Sequence, residues 1–178
     1  ILEDISAIVG AFSSSVSMAV QSVVKSKPIL QMSPASTSTL LSDEAKYPFF
    51  FRTVLDDGHL GKRIVHFVKD IMMWEAVGII SDTSSYSTSF RDYIALYAGE
   101  LGGRSDGIMF SVDLVLDTED GKEASLRSAL RTNTRVFIML LHSHKIEETL
   151  KAMGEIAEEE NLDPREFSFI FPETALST

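Results

Sequence analysis

The sequence predicts an α/β fold in which parallel sheets are flanked by helices and the chain is divided between two lobes. Short apolar runs alternate with amphipathic stretches, which is the pattern of βαβ units feeding a mainly parallel sheet. Of the 178 residues, 44% are hydrophobic and 24% are charged, a composition typical of a folded core. This length allows one domain or two small lobes. A polar break at residues 81–85 separates two βαβ runs, so we assign residues 1–82 to the first lobe and 83–178 to the second.

In the first lobe, apolar and β-branched runs predict strands, and apolar residues at helical spacing predict helices. The elements expected in order are a strand at 5–9, a helix at 16–24, a strand at 28–31, an extended segment at 48–53, a helix at 57–73 and a strand at 76–80. In the helix at 57–73, one stripe is expected to pack on a sheet. Its members are Leu60, Ile64, Phe67, Val68 and Ile71.

The second lobe repeats this alternation. Its predicted elements are a helix at 87–101, a strand at 107–112, a helix at 120–130, a strand at 135–141, a helix at 145–160 and a strand at 167–171. The Gly102-Gly103 pair is expected to end the first of these helices, because glycine readily adopts the left-handed conformation found there. In the last helix, four residues are expected to face inward: Ile146, Leu150, Met153 and Ile156.

Charge and composition exclude several classes of function. The 16 Lys and Arg against 26 Asp and Glu give a net charge of -10, which repels nucleic acids and anionic lipid surfaces. The absence of cysteine excludes disulfides, thiolate chemistry and Cys-ligated zinc. The best apolar run, at 136–141, is far shorter than the roughly 18 to 20 residues of a membrane-spanning helix.

No catalytic or cofactor site stands out either. The G-x-x-x-x-G-K phosphate loop is absent, and no nucleophile, base and oxyanion site can be assembled from the sequence. His142 and His144 alternate after an apolar run, but two imidazoles are too few for a metal site. We expect Ser143 to cap the following helix. The sequence therefore predicts neither enzyme activity nor a cofactor or metal.

Two hydroxyl-rich segments follow predicted strands of the first lobe, at the edge where open α/β sheets bind ligands. Ser13, Ser14 and Ser15 lead into a helix whose free N–H groups and positive dipole end favour a carboxylate or a phosphate. Simple N-capping without a ligand explains these serines equally well. The run Ser36-Thr37-Ser38-Thr39 follows the next strand. Its hydroxyls either point into a cleft or only cap the turn that ends at Ser42-Asp43.

Three side chains are candidates for contacting a cation. Asp56 and Asp57 precede a helix, where the dipole favours carboxylates. N-capping accounts for one of them, and the other needs a further role. Tyr86 lies in the predicted crossing segment, where its ring can cover an ammonium through a cation–π contact of roughly 0.5 to 2 kcal/mol. An exposed loop tyrosine without a ligand is the alternative.

The order of four motifs gives the sequence a family resemblance. They are Ala7–Gly10 with Ser13–Val16, then Ser33–Ser38, then Leu41-Ser42-Asp43, and then Tyr47–Thr53. In this order they resemble the type I periplasmic-binding-protein ectodomain of eukaryotic receptors. That family includes metabotropic glutamate and other class C receptors, natriuretic-peptide receptors and other receptor guanylate cyclases, and bacterial branched-chain amino-acid-binding proteins. The resemblance covers nearly the whole chain and is strongest over residues 5–90.

The resemblance implies two Rossmann-like lobes with parallel sheets flanked by helices. Family domains are longer than this chain, so it also implies that the domain is incomplete here. The chain begins with Ile1 and has neither an initiator Met nor a signal-peptide pattern. We therefore expect a processed or excised segment.

The resemblance further implies which residues hold the negative end of an amino-acid ligand. Ser14 and Ser15 occupy the positions at the helix start that bind the ligand carboxylate. Thr37 occupies the position that offers a hydroxyl, with Ala35 and Ser36 beside it as backbone contacts.

For the positive end, the resemblance implies an acid from each lobe and an aromatic ring. Asp57 matches the acid that pairs with the ligand ammonium, and Tyr86 matches the ring over it. Glu173 matches the acid of the second lobe, where the family often has Asp. Phe12 departs from the family, whose amino-acid-binding members tend to have a small residue at this position.

The function implied is that of an extracellular ligand-binding segment of a membrane receptor. It would bind a small amino-acid-like molecule in the interlobe cleft and signal by lobe closure. A homodimer through the helices of lobe 1 and a membrane-anchored parent chain are expected. Two alternatives stay open, a periplasmic solute-binding protein of an amino-acid transporter and a ligand-silent dimerisation domain.

Overall fold

The computed structural model describes residues 5–101, 109–115, 119–132 and 134–172. The strands are β1 (Ala7–Val9), β2 (Leu30–Ser33), β3 (Phe50–Arg52), β4 (Ala76–Ser81), β5 (Met109–Val115), β6 (Val136–Leu140) and β7 (Ser168–Ile170). The helices are α1 (Ser14–Val24), α2 (Asp57–His66), α3 (Ser85–Leu101), α4 (Glu119–Leu130) and α5 (Ser143–Glu159). Short 3-10 helices lie at Thr39–Ser42 and Pro164–Glu166, and a π-helical turn lies at Phe67–Ile71.

The strands form two parallel sheets. The first has the order β1-β2-β3, and the second has the order β5-β4-β6-β7. Every strand pair in the described part of the chain is parallel. The predicted α/β fold with parallel sheets flanked by helices is therefore confirmed.

The contacts divide the chain into two compact units. The first unit holds the chain up to residue 64 together with residues 84–94, and the second holds residues 65–83 together with the chain from residue 95. The lobe boundary between residues 82 and 83 stays a prediction. It lies beside one of the points at which the chain passes from one unit to the other.

The first unit buries several hydroxyl and amide side chains. On α1 the buried residues are Ser14, Ser17, Gln21 and Val24. On β2, Gln31 and Ser33 are fully buried, whereas Leu30 and Met32 on the other face are exposed. The inner face of this small sheet is consequently polar, and hydrogen bonds hold much of it together.

The other face of the first sheet carries an apolar row. Val9 pairs with Met32, and Met32 pairs with Phe51. These side chains are 88%, 49% and 49% exposed. The faces of parallel sheets are usually covered, so this row is a surface on which further protein can pack.

The second unit has an apolar core centred on β4 and β6. Phe137, Met139 and Leu141 are fully buried there and belong to a cluster that includes residues of α4 and α5. Gly78 on β4 makes close packing possible, because a Cβ at this position would lie 2.5 Å from the Phe137 ring. The predicted inward face of α5 is confirmed, since Ile146, Met153 and Ile156 are buried and Leu150 is partly buried against the same cluster.

The helix predicted at 57–73 differs from the structure at its second half. The α-helix ends at His66 and continues as a π-helical turn. A π turn adds a residue to the repeat and so rotates the following side chains. Val68 stays buried, but Phe67 and Ile71 of the predicted stripe are exposed.

Three predictions concern helix ends or membrane helices. The Gly102-Gly103 pair lies outside the described residues. Ser143, the predicted N-cap of α5, is instead the first residue of the helix and His142 is its N-cap, so that prediction is wrong. Within the described ranges, no helix has the length and apolar character needed to cross a membrane.

Candidate functional site

The 35–40 loop, which follows β2 and includes the first two residues of the 3-10 helix at Thr39–Ser42, holds much of the candidate site. Serine hydroxyls accept hydrogen bonds from its backbone amides. Ser33 Oγ accepts from Ala35 N at 3.2 Å and from Ser36 N at 2.8 Å. Ser14 Oγ accepts from Ser38 N at 3.2 Å. The first turn of α1 is thereby tied directly to this loop.

The same loop contacts α3. Ser89 Oγ accepts from Thr39 N at 3.1 Å and lies 2.6 Å from Thr39 Oγ1. Tyr86 precedes Ser89 by one helical turn, so the two share a face of α3. The loop therefore brings the start of α1 and the start of α3 together within the first unit.

Ser36 is buried and its side chain is committed to the interior. Its Oγ lies 2.9 Å from Ser17 Oγ and donates to Ala11 O at 3.1 Å. Ser33 Oγ also donates to Ala11 O, at 2.7 Å. Ser36 is fully buried, its N–H donates to Ser33 Oγ and its carbonyl accepts from Arg52 Nη1. Its backbone groups are thus already engaged, and the backbone contact with a ligand stays a prediction for Ser36 and for the half-buried Ala35 beside it.

At the start of α1, the serines do not cap in the usual way. Ser13 is the N-cap residue with extended backbone angles, but its side chain makes no capping hydrogen bond. Its Oγ instead lies 2.9 Å from the exposed Ser15 Oγ. Simple N-capping was the alternative to a ligand site for this serine triplet. It does not explain why Ser13 and Ser15 place hydroxyls at the start of α1.

Of the two acids at the start of α2, one was expected to cap the helix and the other to have a further role, and Asp56 is the one that caps it. Asp56 Oδ1 accepts from His59 N at 3.2 Å and caps α2. Partial burial acts to raise its pKa, but the His59 hydrogen bonds and the Arg52 charge hold the pKa of Asp56 below its ordinary value. Asp57, the first residue of α2, is only 1% exposed. N-capping thus explains Asp56 and leaves Asp57 for another role.

The Asp57 carboxyl is a buried acid with spare hydrogen-bonding capacity. Its backbone N–H donates to Thr37 O at 2.9 Å, and the Thr37 side chain hydrogen-bonds its carboxyl. Its Oδ2 atom is buried without a hydrogen-bond partner. Burial raises the pKa of Asp57 to about 7, although Thr37 and the Arg52 charge act to lower it. A cation donor at Oδ2 would stabilise the ionised form.

The structure assigns Tyr86 to the first turn of α3 and not to a loop. Its side chain is buried, and its ring packs edge-on against Phe90 with centroids 5.9 Å apart. The alternative of an exposed loop tyrosine is therefore wrong, because the helix begins two residues earlier than predicted. Glu173, the acid predicted for the second lobe, lies outside the described residues.

Among the described residues no group of three or more His, Asp or Glu side chains is placed to hold a metal ion. The rings of His142 and His144 stack with centroids 6.1 Å apart at the start of α5. Nearby, the Nζ atom of Lys145 lies 2.8 Å from the buried Oδ2 of Asp82.

Sequence reasoning missed Arg52. Its guanidinium contacts the carbonyl groups of the 35–40 loop and the side chains of Ser42 and Asp56. The available signal was an arginine at the end of an otherwise apolar strand, Phe49-Phe50-Phe51-Arg52. A charged residue at such a position usually has several partners.

Comparison with known proteins places the chain in a family. The sequence model of the family described as "Receptor family ligand binding region" matches residues 1–178 of this chain. The human metabotropic glutamate receptor 8 is 30% identical over 152 residues, which is 84% of this chain and 16% of the receptor. The Carassius auratus G-protein coupled receptor family C group 6 member A is 39% identical over 88 residues, 49% of this chain and 10% of that receptor.

A third relative, the metabotropic glutamate receptor 6 of Oryctolagus cuniculus, is 35% identical over 101 residues, which is 57% of this chain and 12% of the receptor. The chain thus spans only a small part of the relatives it matches. These relatives are receptors, and the prediction that the chain is not an enzyme is confirmed. The chain belongs to the family of receptor ligand-binding regions.

Proposed function

We propose that this chain forms part of the extracellular ligand-binding region of a membrane receptor and binds an amino-acid-like zwitterion. The observation that carries the proposal is the buried Asp57 carboxyl, whose Oδ2 atom has no partner. An unpaired buried acceptor costs about 1–3 kcal/mol. A ligand ammonium would offset this cost, and ionised Asp57 would in turn attract it.

The carboxylate of the ligand would lie at the start of α1. The first-turn amides and the positive dipole end favour an anion there. Ser13 and Ser15 have hydroxyls at this position that are not used for capping. The bond from Ser38 N to Ser14 Oγ links this anion position to the loop that carries Thr37.

Tyr86 and Glu173 complete the proposed site on the side of the ammonium. Tyr86 would offer its ring, which requires a different packing from its present contact with Phe90. Glu173 would supply the acid of the second lobe. Binding in a cleft between lobes would favour closure, because the closed state gains contacts that the open state lacks.

A homodimer through the first lobe is the second part of the proposal. Val16, Ala19, Val20 and Val23 recur at helical spacing on α1, and we call them the α1 stripe. Val16 and Val23 are 50% and 66% exposed. An apolar stripe of this kind suits helix-to-helix packing across a two-fold axis. The stripe also favours the alternative of a dimerisation domain that binds no ligand.

The test is calorimetric titration with L-glutamate, the amino acid in the name of several relatives, and with glycine. Glutamate and glycine share the zwitterionic core but differ in the side chain. We expect wild-type protein to bind at least one of them and Asp57→Asn to lose about tenfold or more in affinity. The matched control is Asp70→Asn, which changes an exposed carboxylate paired with His66.

Equal affinities for wild type and Asp57→Asn would reject the zwitterion model. If neither amino acid binds to wild-type protein, the ligand-silent dimerisation domain becomes the better interpretation.

A further inference from the structure

We propose that Arg52 is a positioning residue, which fixes the shape of the 35–40 loop and so sets the spacing between Thr37 and Asp57. The effect on ligand binding rests on the proposed function. The effect on the loop is independent of any ligand.

The loop has few backbone hydrogen bonds of its own, so its polar groups need other partners. The hydroxyls of Ser33, Ser14 and Ser89 satisfy its amides. On the carbonyl side, Arg52 Nη1 lies 3.5 Å from Ser36 O, 3.1 Å from Thr37 O and 2.9 Å from Ser38 O. Three successive carbonyl oxygens therefore converge on one nitrogen atom of Arg52.

The second nitrogen of the guanidinium reaches two other elements. Arg52 Nη2 donates to Ser42 Oγ in the 3-10 helix and to Asp56 Oδ2 at 3.4 Å. Asp56 is the residue that caps α2. Arg52 thus joins the loop, the 3-10 helix and the start of α2, and its side chain is only 13% exposed.

The arrangement needs an arginine. A lysine ammonium can approach three carbonyls, but it has no second branch to reach Ser42 and Asp56 at the same time. Without any cation, Thr37 O and Ser38 O would keep their backbone donors, Asp57 N and Leu41 N, but the three carbonyl dipoles would converge with no charge to offset their repulsion. The loop would then separate from its present position.

The link to the ligand residues is one carbonyl group. Thr37 O accepts from Arg52 Nη1 and also from the backbone N–H of Asp57, at 2.9 Å. Because both bonds share this oxygen, a shift of the loop changes the distance from the Thr37 side chain to the Asp57 carboxyl. The predicted hydroxyl contact and the predicted ammonium contact would then no longer fit one ligand.

Hydrogen–deuterium exchange tests the loop directly and without a ligand. The variants are Arg52→Met, Arg52→Lys and the matched control Arg63→Met, which removes an exposed arginine of α2. In Arg52→Met, peptides covering residues 36–42 should exchange about tenfold faster or more, whereas α5 peptides should not change. Arg52→Lys should give a smaller increase, and Arg63→Met should match wild type.

If the loop peptides of Arg52→Met exchange at the wild-type rate, the proposal is overturned. It is also overturned if the exchange rate of these peptides increases equally in Arg63→Met. If Arg52→Met exchanges rapidly in every peptide, the protein has not folded and Arg52→Lys decides. If the loop peptides of Arg52→Lys exchange faster than those of wild type while its α5 peptides are unchanged, the proposal is supported. If the loop peptides of Arg52→Lys exchange at the wild-type rate, the proposal is overturned.

Titration of the same variants with L-glutamate separates this inference from the proposed function. Arg52→Met should lose about tenfold or more in affinity, Arg52→Lys less, and Arg63→Met nothing. Failure of wild-type protein to bind L-glutamate counts against the proposed ligand, while the exchange data still decide the role of Arg52 in the loop. If the loop of Arg52→Met exchanges faster but the variant binds L-glutamate as tightly as wild type does, then Arg52 does not act on the ligand through Thr37 and Asp57.

Discussion

The backbone N–H of Asp57 donates to the carbonyl of Thr37 at 2.9 Å, and the Thr37 side chain hydrogen-bonds the Asp57 carboxyl. These contacts hold an acid in a buried position, where burial raises its pKa from 3.8 to about 7. The pair therefore connects the geometry of the candidate site to the dependence of stability on pH.

Stability should fall as the pH rises from about 4 to about 7, if this group alone is considered. Over that range the folded protein keeps the Asp57 proton and the unfolded chain has released it, so the folded state binds more protons. The free energy of unfolding therefore decreases with pH, by roughly 4 kcal/mol in total, and levels off above about pH 7.

Urea unfolding of wild type and Asp57→Asn at pH 5 and pH 8 measures this contribution. The wild-type decrease between the two pH values should exceed the decrease in Asp57→Asn by about two thirds of the total Asp57 contribution, because the unfolded chain has already released most of this proton at pH 5. Parallel pH profiles for the two proteins would show that Asp57 ionises normally in the folded state.

The contact between Lys145 and Asp82 should stabilise the second unit. Asp82 is 2% exposed and Lys145 is 40% exposed. Loss of the ammonium leaves the buried carboxylate with one partner fewer, so Lys145→Met should lower the free energy of unfolding by about 1–3 kcal/mol. Lys151→Met is the control, because Lys151 and Glu155 form an exposed pair worth under about 1 kcal/mol. Equal effects in denaturant titrations would refute a special role for Lys145.

Two glycines of the second unit should respond in opposite ways to alanine. Gly78→Ala places a Cβ 2.5 Å from the Phe137 ring and should destabilise the protein by about 1–3 kcal/mol. Gly154 lies within α5, and a Cβ added there would meet no neighbouring side chain or segment within 4 Å. Gly154→Ala should therefore stabilise by up to about 1 kcal/mol. Thermal or urea unfolding distinguishes the signs, and destabilisation by both substitutions would contradict the open space beside Gly154.

The α1 stripe should control self-association. Replacing Val16 and Val23 together with Asp puts two charges on the proposed dimer surface, so the double variant should be monomeric at concentrations where wild type is dimeric. Sedimentation velocity over a range of concentrations measures the effect. Leu96→Asp, at an exposed apolar position of α3, should leave the association unchanged. A dimer that survives the double substitution uses another surface.

Periodicity predicted the order of strands and helices because these elements bury continuous apolar runs or stripes. The starts of helices were harder to predict. The helices α1, α3 and α5 begin at Ser14, Ser85 and Ser143, two residues before the predicted positions. Serine is favoured as an N-cap, yet it is also tolerated in the first turn. Sequence patterns do not separate these two positions.

The candidate site shows a similar division. The sequence pointed to Asp57, Thr37 and Ser14. Carboxylates and hydroxyls at strand ends and helix starts are typical of ligand-binding sites, so residue type and position were enough. Arg52 could not, because several of its partners are backbone carbonyls 14 to 16 residues away in the chain. Backbone carbonyls are present at every position, so no residue pattern reveals which of them converge.

The hydroxyl-rich interior of the first unit has a thermodynamic consequence. Unfolding of Ser14, Ser17, Gln21, Gln31 and Ser33 exposes polar surface, which lowers the heat capacity of the unfolded chain, whereas the core around Phe137 exposes apolar surface, which raises it. The heat capacity increment per residue should therefore be smaller for the first unit. Its stability curve against temperature would be flatter than that of the second, and cooling would weaken it less.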